Sequence, residues 1–100
     1  MKYIITESRL HDIMTDYLNS FTEKSKIYHV DSFIIVTRNR DNDLDDTEIE
    51  YDHFDGRLFI DKSFLNSFNN YFARDPEYSK SFISKWFEKK FGVEVKVVNL

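Results

Sequence analysis

Aromatic side chains occur along almost the whole length of this chain, and a stable fold must gather many of them away from water. Seventeen of the hundred residues are Phe, Tyr or Trp. Each buried ring removes on the order of 150–250 Å² from water, so about a dozen would supply most of the apolar burial of a chain this short. Disordered chains lack this composition. We therefore expect residues 1–100 to form a single aromatic-rich domain.

Hydrophobic spacing and capping residues predict three helices. Apolar residues recur at steps of three and one over residues 10–21, which indicates an amphipathic first helix. Asp61 or Ser63 provides the N-cap of a second helix. The pair Asp75-Pro76 begins a third helix, because aspartate caps well and proline favours the first helical position. Gly92 is suited to end that helix.

Other segments have the patterns of strands. Residues 3–6 predict a first strand, and residues 93–100, in which valines alternate with polar residues, predict the last. Residues 27–38 form either one long bulged strand or two short strands that meet at Asp31-Ser32. With a hairpin between them and the second helix, the predicted order is β-α-β-β-β-α-α-β. This is an α+β fold with helices packed on one face of a mostly antiparallel sheet, of which an elaborated ferredoxin-like arrangement is one specific version.

The hairpin is indicated by a short turn sequence. Asp55-Gly56 lies between two alternating segments, which is typical of a two-residue type I′ turn. That register places Tyr51 opposite Ile60. One face of the hairpin is then largely apolar, whereas the other combines charged residues with two rings: Glu50, Asp52, Arg57 and Asp61, together with Phe54 and Phe59.

Acidic and basic residues are unevenly distributed. Residues 1–61 contain seven Lys or Arg against fourteen Asp or Glu, whereas residues 62–100 contain seven against four. A small domain with this polarity is suited to directional contacts with a partner. An acidic half could also meet the basic half of a second copy, so a homodimer is compatible with the sequence.

Cysteine content and hydropathy limit the cellular setting. The chain has no cysteine, which excludes disulfide bonds, thiol catalysis and cysteine metal ligands. Its longest apolar run, residues 33–36, is far shorter than the roughly 20 residues that a membrane span needs. The N-terminal residues become polar after two aliphatic positions. We expect a soluble, cytoplasmic protein with no signal peptide and no membrane partner.

Two groups of residues resemble metal sites, and each lacks a requirement. Residues 41–46 place aspartates at alternate positions like the opening of an EF-hand calcium loop. The glycine of the sharp turn is missing, and Asp52 stands where the loop needs a bidentate glutamate. His29, Asp31 and His53 would form a two-histidine, one-carboxylate site only if their strands were neighbours. We expect no metal site and no cofactor.

Catalytic motifs are also missing from the sequence. No serine lies in a Gly-x-Ser-x-Gly turn. The two glycines, Gly56 and Gly92, are far apart, so they cannot form a glycine-rich phosphate loop. We therefore expect no enzyme activity.

The third helix suggests an alternative function. It contains four lysines and two nearby rings, a composition that can contact phosphates and stack bases: Lys80, Lys85, Lys89 and Lys90, with Trp86 and Phe87. The chain is acidic overall, and both rings fall on the apolar stripe of the helix. A nucleic-acid-binding module is therefore the less favoured hypothesis.

The opening residues carry a resemblance to known proteins. Residues 2–8, Lys-Tyr-Ile-Ile-Thr-Glu-Ser, resemble the start of many small uncharacterised proteins that marine bacteriophages encode. Such openings commonly continue with Gln where this chain has Arg9. The resemblance implies a viral gene product that acts in the cytoplasm of an infected bacterium. It carries no functional residue over to this chain.

The leading hypothesis is a non-enzymatic interaction protein that presents its acidic hairpin or its aromatic helices to a protein partner. Phe54 and Phe59 lie on the otherwise polar face of the hairpin, where they form either a second core or an exposed patch. An exposed apolar patch would mark an interface. The predicted interface residues are Glu50, Asp52, Phe54, Arg57 and Phe59.

Overall fold

The computed structural model describes residues 7–37 and 47–99, so the strand predicted at residues 3–6 lies outside the described part. Within these ranges the chain has an α+β fold, which confirms the predicted class. In chain order its elements are α1 (Glu7–Lys24), β1 (Lys26–Val30), β2 (Phe33–Thr37), β3 (Thr47–Asp52), β4 (Arg57–Ile60), α2 (Lys62–Phe72), α3 (Pro76–Phe91) and β5 (Val97–Asn99).

The five strands form one sheet whose spatial order follows the chain, β1-β2-β3-β4-β5. The first four strands are antiparallel, and β5 pairs with β4 in parallel after the chain has passed through α2 and α3. A ferredoxin-like split β-α-β unit keeps another strand between its two parallel strands. Here the two parallel strands are neighbours, so the ferredoxin-like version of the prediction is wrong.

The segment predicted at residues 27–38 is divided into two strands. Asp31 adopts a left-handed conformation with φ of 52°, and with Ser32 it reverses the chain between β1 and β2. Asp tolerates this conformation better than most side chains do. Among the described residues, four strands rather than three therefore lie between α1 and α2, and the two-strand alternative is the correct one.

The β3–β4 connection differs from the predicted two-residue turn. Tyr51 pairs with Leu58 rather than with Ile60, so four residues, 53–56, connect the strands. The Asp52 side chain accepts a hydrogen bond from the Phe54 N–H, and the Asp52 carbonyl accepts one from the Gly56 N–H. These bonds stabilise the longer turn. Because the register differs by two residues, each side chain stays on its predicted face.

The capping residues of α2 and α3 act as the sequence predicts. Asp61 accepts a hydrogen bond from the backbone N–H of the third residue after it at 3.1 Å, and Asp75 accepts the equivalent bond at 2.8 Å. Pro76 is the first residue of α3, and Gly92 ends that helix in the left-handed conformation with φ of 65°. The final strand, Val97–Asn99, begins later than predicted, because residues 93–96 make no strand pairing; Leu100, the end of the predicted strand, lies outside the described residues.

One face of the sheet packs against the helices to form the core. The buried side chains of that face are Ile34, Val36, Ile49, Tyr51, Leu58 and Ile60, and those of the helices are Leu10, Met14, Leu18, Phe64, Leu65, Phe68, Ile83, Trp86 and Phe87. The opposite face, here called the open sheet face, carries half-buried apolar residues that lie outside this cluster. None of the helices in the described ranges is both long and apolar enough to cross a membrane.

Candidate interaction surfaces

The turn between β3 and β4 presents one aromatic side chain to solvent. Phe54 is 89% exposed, more than any other large hydrophobic residue whose exposure is described. Its backbone is nevertheless fixed, because its N–H donates to the Asp52 carboxylate at 2.9 Å. The next residue, Asp55, accepts a hydrogen bond from the Arg57 N–H at 3.1 Å. A large ring is thus held on a structured turn and contributes almost nothing to the core.

A second turn lies beside the first and adds to its acidity. The His53 N–H donates to the Ser32 carbonyl at 2.8 Å, and the Ser32 hydroxyl donates to the Asp52 carboxylate at 3.1 Å. These bonds join the β1–β2 and β3–β4 turns at one end of the sheet. We call Asp31, Asp52, Phe54 and Asp55 the hairpin-tip surface.

The four other predicted interface residues lie on the open sheet face. Across β3 and β4, Glu50 lies directly opposite Phe59, and Asp52 lies directly opposite Arg57. Each such set of opposed residues forms one row across the sheet. The rows continue into β1 and β2 through apolar residues that the sequence hypothesis did not include: Tyr28, Val30, Phe33 and Ile35. The structure thus brings the five predicted residues together, and Phe54 lies beyond the end of the rows.

The ion pair at this surface adds little to stability. The Arg57 Nε lies 3.5 Å from an Asp55 carboxylate oxygen, and both side chains are more than a third exposed. Exposed pairs of this kind contribute about 0–1 kcal/mol, since water screens them and both side chains lose freedom. Arg57 therefore offsets part of the negative charge of the hairpin-tip surface without fixing its shape.

The segment after α3 supports the turn from behind. The Gly56 carbonyl accepts hydrogen bonds from the N–H groups of Lys96 at 2.7 Å and Val97 at 3.3 Å. Gly56 has φ of 69°, and a Cβ there would lie 2.8 Å from the Lys96 Cγ. Glycine is therefore required both by the backbone conformation and by the approach of Lys96.

Tyr51 connects the same segment to the core. Its hydroxyl donates to the Glu94 carbonyl at 2.6 Å, and its ring lies 5.5 Å from that of Phe87. Burial raises the pKa of Tyr51 above its ordinary value, and the nearby carboxylates, first Glu94 and then Glu88, raise it further. The neutral hydroxyl is the form that the fold favours.

A groove between α1 and α3 was not anticipated from the sequence. It has a volume of about 500 Å³. From α1 it is lined by His11, Asp12, Thr15 and Asn19, and from α3 by Phe82, Lys85, Trp86, Lys89 and Lys90. The apolar spacing in the sequence identifies which face of each helix enters the core. The groove, however, depends on how the polar residues beside those faces meet when α1 packs against α3.

The floor of the groove is held by contacts between side chains. The Trp86 indole N–H donates to the Asn19 side-chain carbonyl at 3.0 Å, which fixes α3 against α1. Trp86 is only 6% exposed. At one end, the His11 ring packs edge-on against Phe82 at 5.2 Å, and its Nε2 lies 2.9 Å from the Tyr78 hydroxyl.

Three of the four lysines of the nucleic-acid hypothesis border this groove. Lys85, Lys89 and Lys90 are exposed, and no carboxylate pairs with them within the described part of the chain. Lys80 lies elsewhere and pairs with Glu77 at 3.0 Å. Trp86 is buried, as is the neighbouring Phe87, so neither ring offers a face on which a base could stack.

The metal hypotheses gain no support from the geometry. Over residues 7–37 and 47–99, no three or more His, Cys, Asp or Glu side chains are placed to hold a metal ion. His29 is in β1, and Asp31 and His53 are in the two joined turns. The calcium-like segment at residues 41–46 lies outside the described residues.

Comparison with known proteins gives no relative from which a function could be transferred. No protein-family model, curated protein or solved structure matches this chain.

Proposed function

We propose that this protein is a non-enzymatic interaction protein that binds a protein partner through its hairpin-tip surface and the adjoining open sheet face. The observation that carries the proposal is the 89% exposure of Phe54 on a hydrogen-bonded turn. Residues that dominate protein interfaces are often aromatic rings that become desolvated in a pocket of the partner. Phe54 is available for that role because the fold does not use it.

The turn is suited to binding because its shape is already fixed. Hydrogen bonds from His53, Gly56 and Lys96 join it to the neighbouring turn, to β3 and to the segment after α3. A partner would therefore not have to order the loop, which lowers the entropic cost of association. The open sheet face extends the contact area with half-buried apolar side chains.

The resemblance of residues 2–8 to marine bacteriophage proteins supports a viral origin. In that setting the partner is a bacterial or viral protein in the cytoplasm of an infected cell. This part of the proposal rests on the resemblance, whereas the choice of surface rests on Phe54.

The test is affinity capture from a host lysate with matched variants. Tagged wild-type protein, Phe54→Ala and the control Tyr71→Ala are used with and without nuclease. Tyr71 is also an exposed aromatic residue, at 71%, but lies on α2. We expect a stoichiometric protein that survives nuclease and is lost only with Phe54→Ala. Equal capture by all three proteins would rule out the hairpin-tip surface.

A nucleic-acid-binding function is the second candidate, and one observation favours it. Lys85, Lys89 and Lys90 border a single groove. Contacts with phosphates would make the affinity fall steeply with salt, and replacing all three lysines with alanine would abolish binding. If wild-type protein binds neither single-stranded nor duplex nucleic acid at low salt, this candidate is excluded.

A further inference from the structure

We infer that the groove between α1 and α3 binds the hairpin-tip surface of a second copy of this chain. The inference rests on the proposed function, because it assigns a partner to the same exposed Phe54. It also gives a role to the groove, which that function leaves unused.

The size and lining of the groove suit an aromatic side chain on a turn. Its volume of about 500 Å³ lies within the roughly 300–1,000 Å³ of typical ligand sites. The groove is lined by half-buried Phe82 and by the small part of Trp86 that remains exposed, and a ring entering it can pack edge-on or offset against Phe82. Phe54 projects from a narrow turn, so its ring can enter a groove that a flat surface could not reach into.

The charges around the two surfaces are opposite. Three lysines and one aspartate, Asp12, line the groove. The hairpin-tip surface combines Phe54 with three aspartates, and among the described residues only Asp55 forms an ion pair, with Arg57. Complementary charges of this kind orient an encounter and fix its register. An acidic turn bearing a ring is therefore a better match to this groove than an uncharged apolar segment.

The geometry requires two copies in a head-to-tail arrangement. Phe54 is 89% exposed, so it does not occupy the groove of its own chain. The tip and the groove are different surfaces, and each copy has one of each. Such heterologous contacts build a ring if the rotation closes and an open chain of subunits if it does not.

The decisive experiment mixes two variants that are defective on opposite sides of the contact. Phe54→Ala removes the ring but keeps the groove, whereas Lys85→Glu with Lys89→Glu reverses the groove but keeps the ring. Masses are measured by sedimentation velocity at low salt. We expect concentration-dependent association of the wild type, weakened roughly a hundredfold by Phe54→Ala, as for a buried aromatic hot spot.

The mixture of the two variants should form a dimer and stop there. One intact tip then meets one intact groove, and no further contact is available. A wild type that remains monomeric at its highest soluble concentration overturns the inference, as does a mixture in which the variants do not combine. If reversing the lysines unfolds the protein, Lys85→Gln with Lys89→Gln takes its place.

Controls separate this inference from the proposed function. Lys62→Glu makes a single lysine-to-glutamate reversal, half the charge change of the double variant, at the start of α2, and Tyr71→Ala removes an exposed ring elsewhere. Loss of association in either control would show that the contact is nonspecific and would overturn the inference. A monomeric wild type that still captures a lysate protein through Phe54 retains the proposed function without self-association. If Phe54→Ala abolishes neither self-association nor capture, both fail.

Discussion

Replacing Tyr51 with phenylalanine removes one hydroxyl from the contact between β3 and the segment that follows α3. The side chain is 3% exposed, and its hydroxyl donates to the Glu94 carbonyl at 2.6 Å. The substitution leaves the ring, and with it the packing against Phe87, in place. Its effect therefore reports on the hydrogen bond and on the ionisation of the hydroxyl.

At neutral pH we expect a loss of about 1 kcal/mol, the usual net contribution of one intramolecular hydrogen bond. We expect this value rather than the larger penalty for a buried acceptor without a partner, because the residue that carries the acceptor, Glu94, is itself exposed. In a chain of this length, 1 kcal/mol corresponds to a decrease of about 4–8 °C in Tm.

The pH dependence provides a second signature. The pKa of Tyr51 is raised above 10.0 in the folded protein, first by burial and then by nearby carboxylates. Below pH 10 the Tyr51 hydroxyl keeps its proton in both the folded and the unfolded protein, so its contribution to the free energy of unfolding is fully present. Above pH 10 the unfolded chain releases the proton while the folded protein retains it, so the wild type loses stability as pH rises. The phenylalanine variant has no such loss.

The assay is urea unfolding followed by far-UV circular dichroism from pH 7 to pH 11. The free-energy difference between wild type and Tyr51→Phe should begin near 1 kcal/mol and decrease above pH 10. Tyr71→Phe, at an exposed position, serves as the control and should change little. A difference that stays constant across the range, or an equal loss in the control, would refute the reasoning.

Three further predictions concern stability and are checked by urea unfolding. Gly56→Ala should lower the free energy of unfolding more than Gly92→Ala does. Both glycines have the left-handed conformation, which costs an alanine about 1–2 kcal/mol. Only at Gly56 would the new Cβ also meet the Lys96 side chain. Equal costs would show that Lys96 moves aside freely. Phe68→Ala should cost about 3–5 kcal/mol, because the ring is fully buried and its removal leaves a cavity. Asp75→Ala should cost about 1 kcal/mol through loss of the α3 N-cap, and restoration by Asp75→Ser would confirm the cause.

The helices could be predicted from the sequence because the signals that define them are local. Asp61, Asp75-Pro76 and Gly92 lie within one turn of the helix ends that they fix. The hairpin register could not be predicted in the same way. Asp55-Gly56 favours a two-residue turn, yet the Asp52 side chain and the distant Lys96 stabilise a four-residue one. A contact with the other end of the chain cannot be recognised in a short window of sequence.

The candidate surfaces were likewise predictable only in part from the sequence. Alternation along β3 and β4 identified the residues that share a face, and the observed register keeps Glu50 and Phe59 on it. It could not tell whether that face is covered, because covering depends on where the helices pack. The groove was missed since Asn19 and Lys85 are ordinary polar residues on their own helices and become neighbours only after α1 and α3 pack.

The parallel pairing of β5 with β4 also has a consequence for the order of folding. The first four strands are joined by adjacent hairpins, whose contacts close short loops at little entropic cost. The β4–β5 pairing instead joins strands separated by α2 and α3, and we expect it to form later, because pairings across long stretches of chain form slowly. Because Lys96 and Val97 bind the Gly56 carbonyl, the turn that presents Phe54 gains its last support late. We therefore expect the chain to form its core before the hairpin-tip surface gains this support.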